Sequence, residues 1–160
     1  MRGVEVKEGS GDQGYFEVRI VRTSPQEPLS HNTMIGLATL DVDLSCSLGI
    51  GRGCFGWSQS GGYSSTLLGM DYSMGGFARR FGTEDVVGIM VDCIEVPTLR
   101  YFLNGVQVHR VVVAQEGYGQ VLFPALSLWN SGQIHIASNP YFPSGEEEGS
   151  EGGGRTSCCS

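Results

Sequence analysis

The sequence predicts an all-β protein, a two-layer antiparallel sandwich, on three observations. Glycine makes up 25 of 160 residues, roughly twice the usual share of about 7%, while charged residues reach only 17%, a pairing that fits many tight turns between short strands. Runs of five to eight β-branched and aromatic residues recur between Gly, Pro, Asn, Asp and Ser clusters, as strands require. Apolar residues nowhere repeat at i, i+3, i+4 and i+7 long enough for a helix, so helical crossovers and a parallel sheet are not expected.

The strands follow in order. Tyr15–Arg22 sets Phe16, Val18 and Ile20 against Glu17, Arg19 and Val21, which predicts one buried face and one mostly wet face. Thr33–Leu40 is more apolar and is expected to lie centrally. Val86–Cys93 is apolar on both faces except at Asp92, the pattern of a central strand ending at the Asp. Leu99, Tyr101 and Leu103 alternate with Arg100 and Phe102, then Asn104 and Gly105 supply the pair a type I′ turn favours, because both positions take positive φ. The chain returns through Val106–Val113. Val121–Leu128 and Gln133–Ser138 complete the set, with Pro124 pointing to a bulge or an edge.

These segments place one sandwich domain over residues 1–143, a length that buries a single core without staples. The remaining stretch, 144–160, is a Gly- and Glu-rich acidic tail with no apolar residue except its two cysteines, and disorder is expected there. The net charge of −7 repels phosphate backbones and anionic membranes, so nucleic acid is not an expected partner. Part of the excess is local: without Glu146, Glu147, Glu148, Glu151 and Arg155 the body carries 13 acidic and nine basic residues. No apolar stretch is long enough for a membrane helix and none resembles a signal peptide. Five cysteines without repeated spacing, with Cys46, Cys54 and Cys93 in or beside apolar segments, read as a reducing compartment, and a cytoplasmic or nuclear monomer is expected.

Candidate chemistry is sparse. Gly9, Gly11 and Gly14, and again Gly51, Gly53 and Gly56, match GxGxxG, but each runs into strand-like sequence and lacks the helix that would hold a pyrophosphate; turn glycines are expected and no cofactor. Gly56-Trp57-Ser58-Gln59-Ser60 fails the nucleophile-elbow pattern at its last position. His31, His109 and His135 are dispersed, so no base is paired with a nucleophile and no enzyme is expected. Asp41 with Asp43, and Glu84 with Asp85, in principle admit a glycan-processing or calcium-dependent lectin sandwich, but neither spacing is informative and solvated turn carboxylates are the expected reading. No CxxC pair lies in the domain, and Cys158 and Cys159 are adjacent, so no metal site is expected. A prenylation box would need Cys at the position of Ser157, leaving palmitoylation or a double-cysteine signal for the tail.

Residues 61–81 carry Tyr63, Met70, Tyr72, Arg79 and Arg80 among glycines and serines, the composition of a protein-binding patch. The same apolar residues could instead close one end of the sandwich, and both readings stand at this point.

The motif order adds a resemblance. GYFEV at 14–18, IGLAT at 35–39, Gly56-Trp57 followed by GGYSS, FGTEDVVGIMVD at 81–92, LRYFLNG at 99–105 and LFPALSL at 122–128 together resemble a SPRY domain from Gly14 to about Phe142. The resemblance implies a bent antiparallel sandwich of concanavalin-like jelly-roll architecture without catalytic machinery. It also implies a protein-interaction role through loops at one end, as a substrate receptor or scaffold in a larger protein. Trp57, Asp85, Asn104 and Gly105 then read as structural residues, and Tyr63, Met70, Tyr72, Arg79, Arg80 and Trp129 as partner-binding candidates. Two departures are visible: Glu84-Asp85 stands where the family has Gly-Asp, and only fourteen residues precede Tyr15, which cuts short the strand expected there and reads as a fragment. A lectin-like sandwich, or a domain that packs on missing neighbours, are the alternatives.

Overall fold

The computed structural model describes residues 2–22, 33–46, 48–49, 53–65, 72–74, 79–113, 115–128 and 132–138, with the backbone alone at 63–65, 72–74 and 116. Eleven strands form two antiparallel sheets. They are β1 (Val4–Glu5), β2 (Gln13–Arg22), β3 (Met34–Ala38), β4 (Cys54–Ser58), β5 (Tyr63–Ser65), β6 (Tyr72–Met74), β7 (Val86–Asp92), β8 (Thr98–Leu103), β9 (Val106–Val112), β10 (Val121–Ser127) and β11 (Gln133–Ile136). One sheet runs β1-β10-β3-β4-β5-β6 and the other β11-β2-β7-β8-β9. Among the described residues the only helical element is a single 3-10 turn, Gln115–Gly117.

The core lies where the two inner faces meet. Phe16, Val18 and Ile20 of β2, Val87, Ile89 and Val91 of β7, and Leu99 and Tyr101 of β8 come from one sheet; Ile35, Leu37, Phe55, Trp57 and Leu122 come from the other, all buried. The period-2 alternation of these strands is therefore what folds them: each contributes every second residue to the same apolar layer. A second, smaller cluster of Tyr15, Met90 and Phe102 is buried on the outward face of the five-stranded sheet.

Most expected strands stand, with β3 between β10 and β4, and β7 between β2 and β8 ending at Asp92. Two local readings change and a third is narrowed. Thr33–Leu40 shortens to Met34–Ala38, and Leu40 is 84% exposed, because the chain turns after Thr39, the Val42 amide donating to the Thr39 carbonyl at 3.3 Å. Cys46 does not behave as a small core hydrophobe; it is exposed, on a turn held by the Asp43 carboxylate. Cys54 and Cys93 are buried as expected. Pro124 sits in a regular register opposite Leu37, so no bulge is present there. It nevertheless lies past the end of β1, which reaches only Val121 and Leu122, so on that side β10 is an edge among the described residues and the missing N–H costs no ladder bond.

Strands β4, β5 and β6 were not expected as separate elements. Cys54–Ser58 is buried along its whole length but contains Gly56, and β5 and β6 have three residues each, too short for any periodic signal. Of the six GxGxxG glycines, Gly9, Gly11 and Gly53 occupy turns with φ of 65°, 76° and 74°. Gly14 and Gly56 lie within β2 and β4, and Gly51 is outside the described residues. His31 and the tail from 144 onward are outside them too.

Asn104 and Gly105 have φ of 52° and 82°, the two positive values a type I′ turn demands. Glu84 has φ 74°, a left-handed conformation in which a Cβ is strained by about 1–2 kcal/mol. That conformation explains why glycine suits this position. Its compensation is an ion pair with Arg19 at 2.6 Å, exposed on both sides and worth at most about 1 kcal/mol. Glu84→Gly should therefore be at least as stable as the parent in thermal unfolding, whereas Glu84→Val, with a β-branched side chain at positive φ, should lose about 1–2 kcal/mol.

Candidate functional site

Three connections pass from one sheet to the other at the same end: those between β2 and β3, β6 and β7, and β10 and β11. Backbone bonds tie this end together. The Gln59 amide donates to the Thr33 carbonyl at 2.9 Å, Phe81 donates to Gln59 at 3.3 Å, and Glu84 donates to Ile20 of the facing sheet at 2.7 Å.

Trp57 is the anchor. Its ring is fully buried and makes edge-on contacts with Phe81 and Tyr101, at centroid distances of 5.2 and 6.0 Å. Its indole N–H donates to the Arg79 carbonyl at 3.1 Å, the polar contact a buried Trp needs. The consequence is positional: the 79–81 segment is clamped from below through Arg79 and Phe81, while the side chains of Arg79 and Arg80 stay exposed.

Asp85 and Asn104 fix the other side of this end. The Asp85 carboxylate accepts from the Gly82 amide at 2.7 Å and from the Asn104 side-chain amide at 2.9 Å. Asn104 Oδ1 in turn accepts from the Val86 amide at 2.8 Å, and the Asn104 amide donates to the Val86 carbonyl at 2.7 Å. The β8–β9 turn is thus pinned to the entry of β7 by three hydrogen bonds, one of them to a carboxylate and so stronger than the neutral ones.

The binding candidates fall into three groups. Arg79 and Arg80 sit together at this end. Tyr63 opens β5 level with Trp57 and Met74, whereas Tyr72 opens β6 opposite Ser65 and so lies two residues, about 7 Å, further along the strands. Met70 and Trp129 lie outside the described residues; Leu128, next to Trp129, is exposed and follows the Ser127–Met34 pair at the Arg79 end. The turn at 59–62 belongs to the same end and carried no sequence signal beyond its glycines.

The serine, histidine and carboxylate candidates belong to turns and sheet edges. The Ser58 hydroxyl pairs with Ser60 at 2.9 Å and accepts from the Gly62 amide at 2.9 Å, which makes it a turn cap. His109 is on β9 and His135 on β11, opposite edges of the five-stranded sheet; burial pushes the His109 imidazole below its usual pKa. Asp41 accepts from the Thr39 hydroxyl and Asp43 from the Ser45 amide and hydroxyl. Among the described residues no group of three or more His, Cys, Asp or Glu could hold a metal ion, and no helix is long and apolar enough to cross a membrane.

A sandwich whose sheet-crossing connections converge on a buried tryptophan, with a pinned Asn-Gly hairpin beside it, agrees with the family model for the SPRY domain, which matches residues 13–139. The chain belongs to the SPRY family. Its fold is similar to a human SPRY domain at TM-score 0.60 and 15% identity, covering 89% of this chain and 83% of that one. The SPRY domain of human HERC1 follows at 0.57 and 15%, covering 85% and 77%, and the PSpry domain of TRIM65 at 0.56 and 14%, covering 86% and 68%. No curated protein matches the chain by sequence. At these identities the neighbours speak for the SPRY fold alone, so the SPRY domain's own end loops carry any argument about function.

Proposed function

We propose that this SPRY domain is a non-enzymatic protein-interaction module that recognises a peptide or protein partner through the loops at the Arg79–Arg80 end, as a substrate receptor or scaffold. The observation that carries this reading is the rigid presentation of two exposed arginines: Trp57 and Phe81 hold the 79–81 backbone while both arginine residues are exposed. A partner then meets cationic side chains whose backbone is already ordered, which lowers the entropy cost of association, and arginine is among the residues that most often dominate binding energy. In a chain of net charge −7, such a local cationic pair favours a partner with acidic or carbonyl-rich contacts. Tyr63, Tyr72, Met70 and Trp129 extend the proposed surface on composition.

The test is affinity capture by the intact chain and by a Tyr72→Ala, Arg79→Ala double variant, with each captured partner then titrated directly. Loss of a partner, or weakening by about 2 kcal/mol or more, supports the surface. An unchanged partner set with unchanged affinities removes it.

A further inference from the structure

On the outward face of the six-stranded sheet, the loop after β3 folds back over the strands. Leu48 is buried against β3 and β4; a Cβ on Gly56 would meet the Leu48 carbonyl oxygen at 3.1 Å, so glycine there permits the approach. Between this loop and β10 a cleft of about 270 Å³ remains, with Ala38, Val42, Leu44, Leu48, Ala125 and Leu128 among its walls.

We infer that this cleft docks a peptide segment of a partner protein, one that carries an aliphatic anchor side chain beside a lysine or arginine. The inference goes beyond the reading above, because the cleft shares no residue with the surface proposed there.

Three observations carry it. First, leucines stand in solvent at this place: Leu44, 91% exposed, and Leu128, 44% exposed, both line the cleft, and Leu40, 84% exposed, follows its wall residue Ala38 by two positions. Single exposed leucines are ordinary, but a group around an apolar cleft marks a contact surface. Second, Leu44 is not on slack chain. Asp43 accepts from the Ser45 amide at 2.9 Å and its hydroxyl at 2.6 Å, the Cys46 amide donates to the Asp43 carbonyl at 3.3 Å, and Val42 donates to Thr39 at 3.3 Å. The turn fixes the leucine outward, as preorganised contacts require. Third, the charge at the rim has one sign. Asp43 lines the cleft and Asp41 lies two residues before it; among the described residues no basic side chain lines the cleft. The Thr39 hydroxyl holds the Asp41 carboxyl below its usual pKa, and the Ser45 hydroxyl and amide do the same for Asp43, so both stay anionic well into acid. An apolar floor beside fixed anions complements an aliphatic side chain flanked by a cation. The space is also adequate, since a cavity of about 150 Å³ already accepts a benzene-sized molecule.

The experiment is methyl NMR on the intact chain with three capped hexapeptides: Gly-Lys-Leu-Leu-Lys-Gly, its Glu-flanked counterpart, and the Lys-flanked form with Ser-Ser at the centre. The expected result is shifts at Val42, Leu44, Leu48 and Leu128 with the first peptide alone. Leu44→Ser should weaken it about tenfold or more without moving the unfolding midpoint, given the exposure of Leu44. Asp43→Asn keeps the side-chain acceptor of the turn, and should weaken binding about two- to fivefold and flatten its salt dependence. The Tyr72→Ala, Arg79→Ala variant should bind the peptide as the parent does, which separates this cleft from the other surface. No shift, shifts elsewhere, or equal shifts from all three peptides would overturn the inference. So would leucine shifts reproduced by concentrating the chain alone, since a second copy would then be the occupant.

Discussion

Trp57→Ala should lower the unfolding free energy by about 3–5 kcal/mol, the range for emptying a fully buried aromatic site. Against a total of about 5–15 kcal/mol for an ordinary domain, that loss leaves a large unfolded fraction or no folded state. The site cannot collapse easily, because Phe81 and Tyr101 pack edge-on against the indole from different segments and both are held by their own strands or loop bonds. Denaturant unfolding measures the loss directly. Trp57→Phe separates the two roles of the residue: it keeps most of the apolar contact but leaves the Arg79 carbonyl without its donor, at a cost of about 1–3 kcal/mol. This milder variant should fold, yet release the 79–81 segment and with it the partners captured through the arginines. A folded Trp57→Phe protein with full partner affinity would show that the clamp is not needed for recognition.

The second large effect is expected at Asp92. Its carboxylate is nearly buried and bonds Arg100 at 2.7 Å, the Gln13 side chain at 3.2 Å and the Ile94 amide at 3.2 Å. Removing it strands those donors and an arginine whose side chain is 28% exposed. It also leaves Arg100 directly opposite Arg110 across the β8–β9 pair, where like charges destabilise a sheet. Asp92→Ala should cost about 2–4 kcal/mol, below the full penalty for breaking a buried pair because Arg100 retains some water. A double variant, Asp92→Leu with Arg100→Met, should lose less than the single one, since replacing both ions by apolar groups is often neutral. Equal losses would mean that the ion pair is not the cause. Chemical unfolding of the three variants, compared at unchanged m-value, checks this.

Both residues draw a partner from a distant part of the chain, Trp57 from Arg79 and Asp92 from Gln13, and that is where reading the sequence succeeded and fell short. Strand β2 was legible because Phe16, Val18 and Ile20 share one face. The β8–β9 hairpin was legible because Asn-Gly is a local signal with a local cause. Strands β4 to β6 were not, since β4 carries a glycine and β5 and β6 have three residues each, and β4 becomes a strand through pairing with β3, Trp57 opposite Ile35, which no short window of sequence contains. The structural place of Trp57, Asp85 and Asn104 came from the order of motifs, while the mechanism, an indole bond to Arg79 and a shared carboxylate, needed coordinates. The outward leucines were least legible of all. In a run such as Ala38-Thr39-Leu40 a leucine looks like core, and only the turn closed by the Val42 amide on the Thr39 carbonyl carries it into solvent. Cys46 misled in a similar way, since the turn on the Asp43 carboxylate holds it outside.

The neighbourhood of β2 and β11 has a further consequence. These two strands open and close the family region, yet they pair antiparallel, with Ile136 opposite Val18, so the chain enters β2 and leaves β11 on the same side of the sandwich. That side is opposite to the end where Arg79 and Arg80 are displayed. A module with adjacent entry and exit can be spliced into a surface loop of a host protein without prising the host apart. Because completing the five-stranded sheet requires residues as distant as Gln13 and Gln133, such a splice should fold only after nearly all of it has left the ribosome, with slow, high-contact-order kinetics.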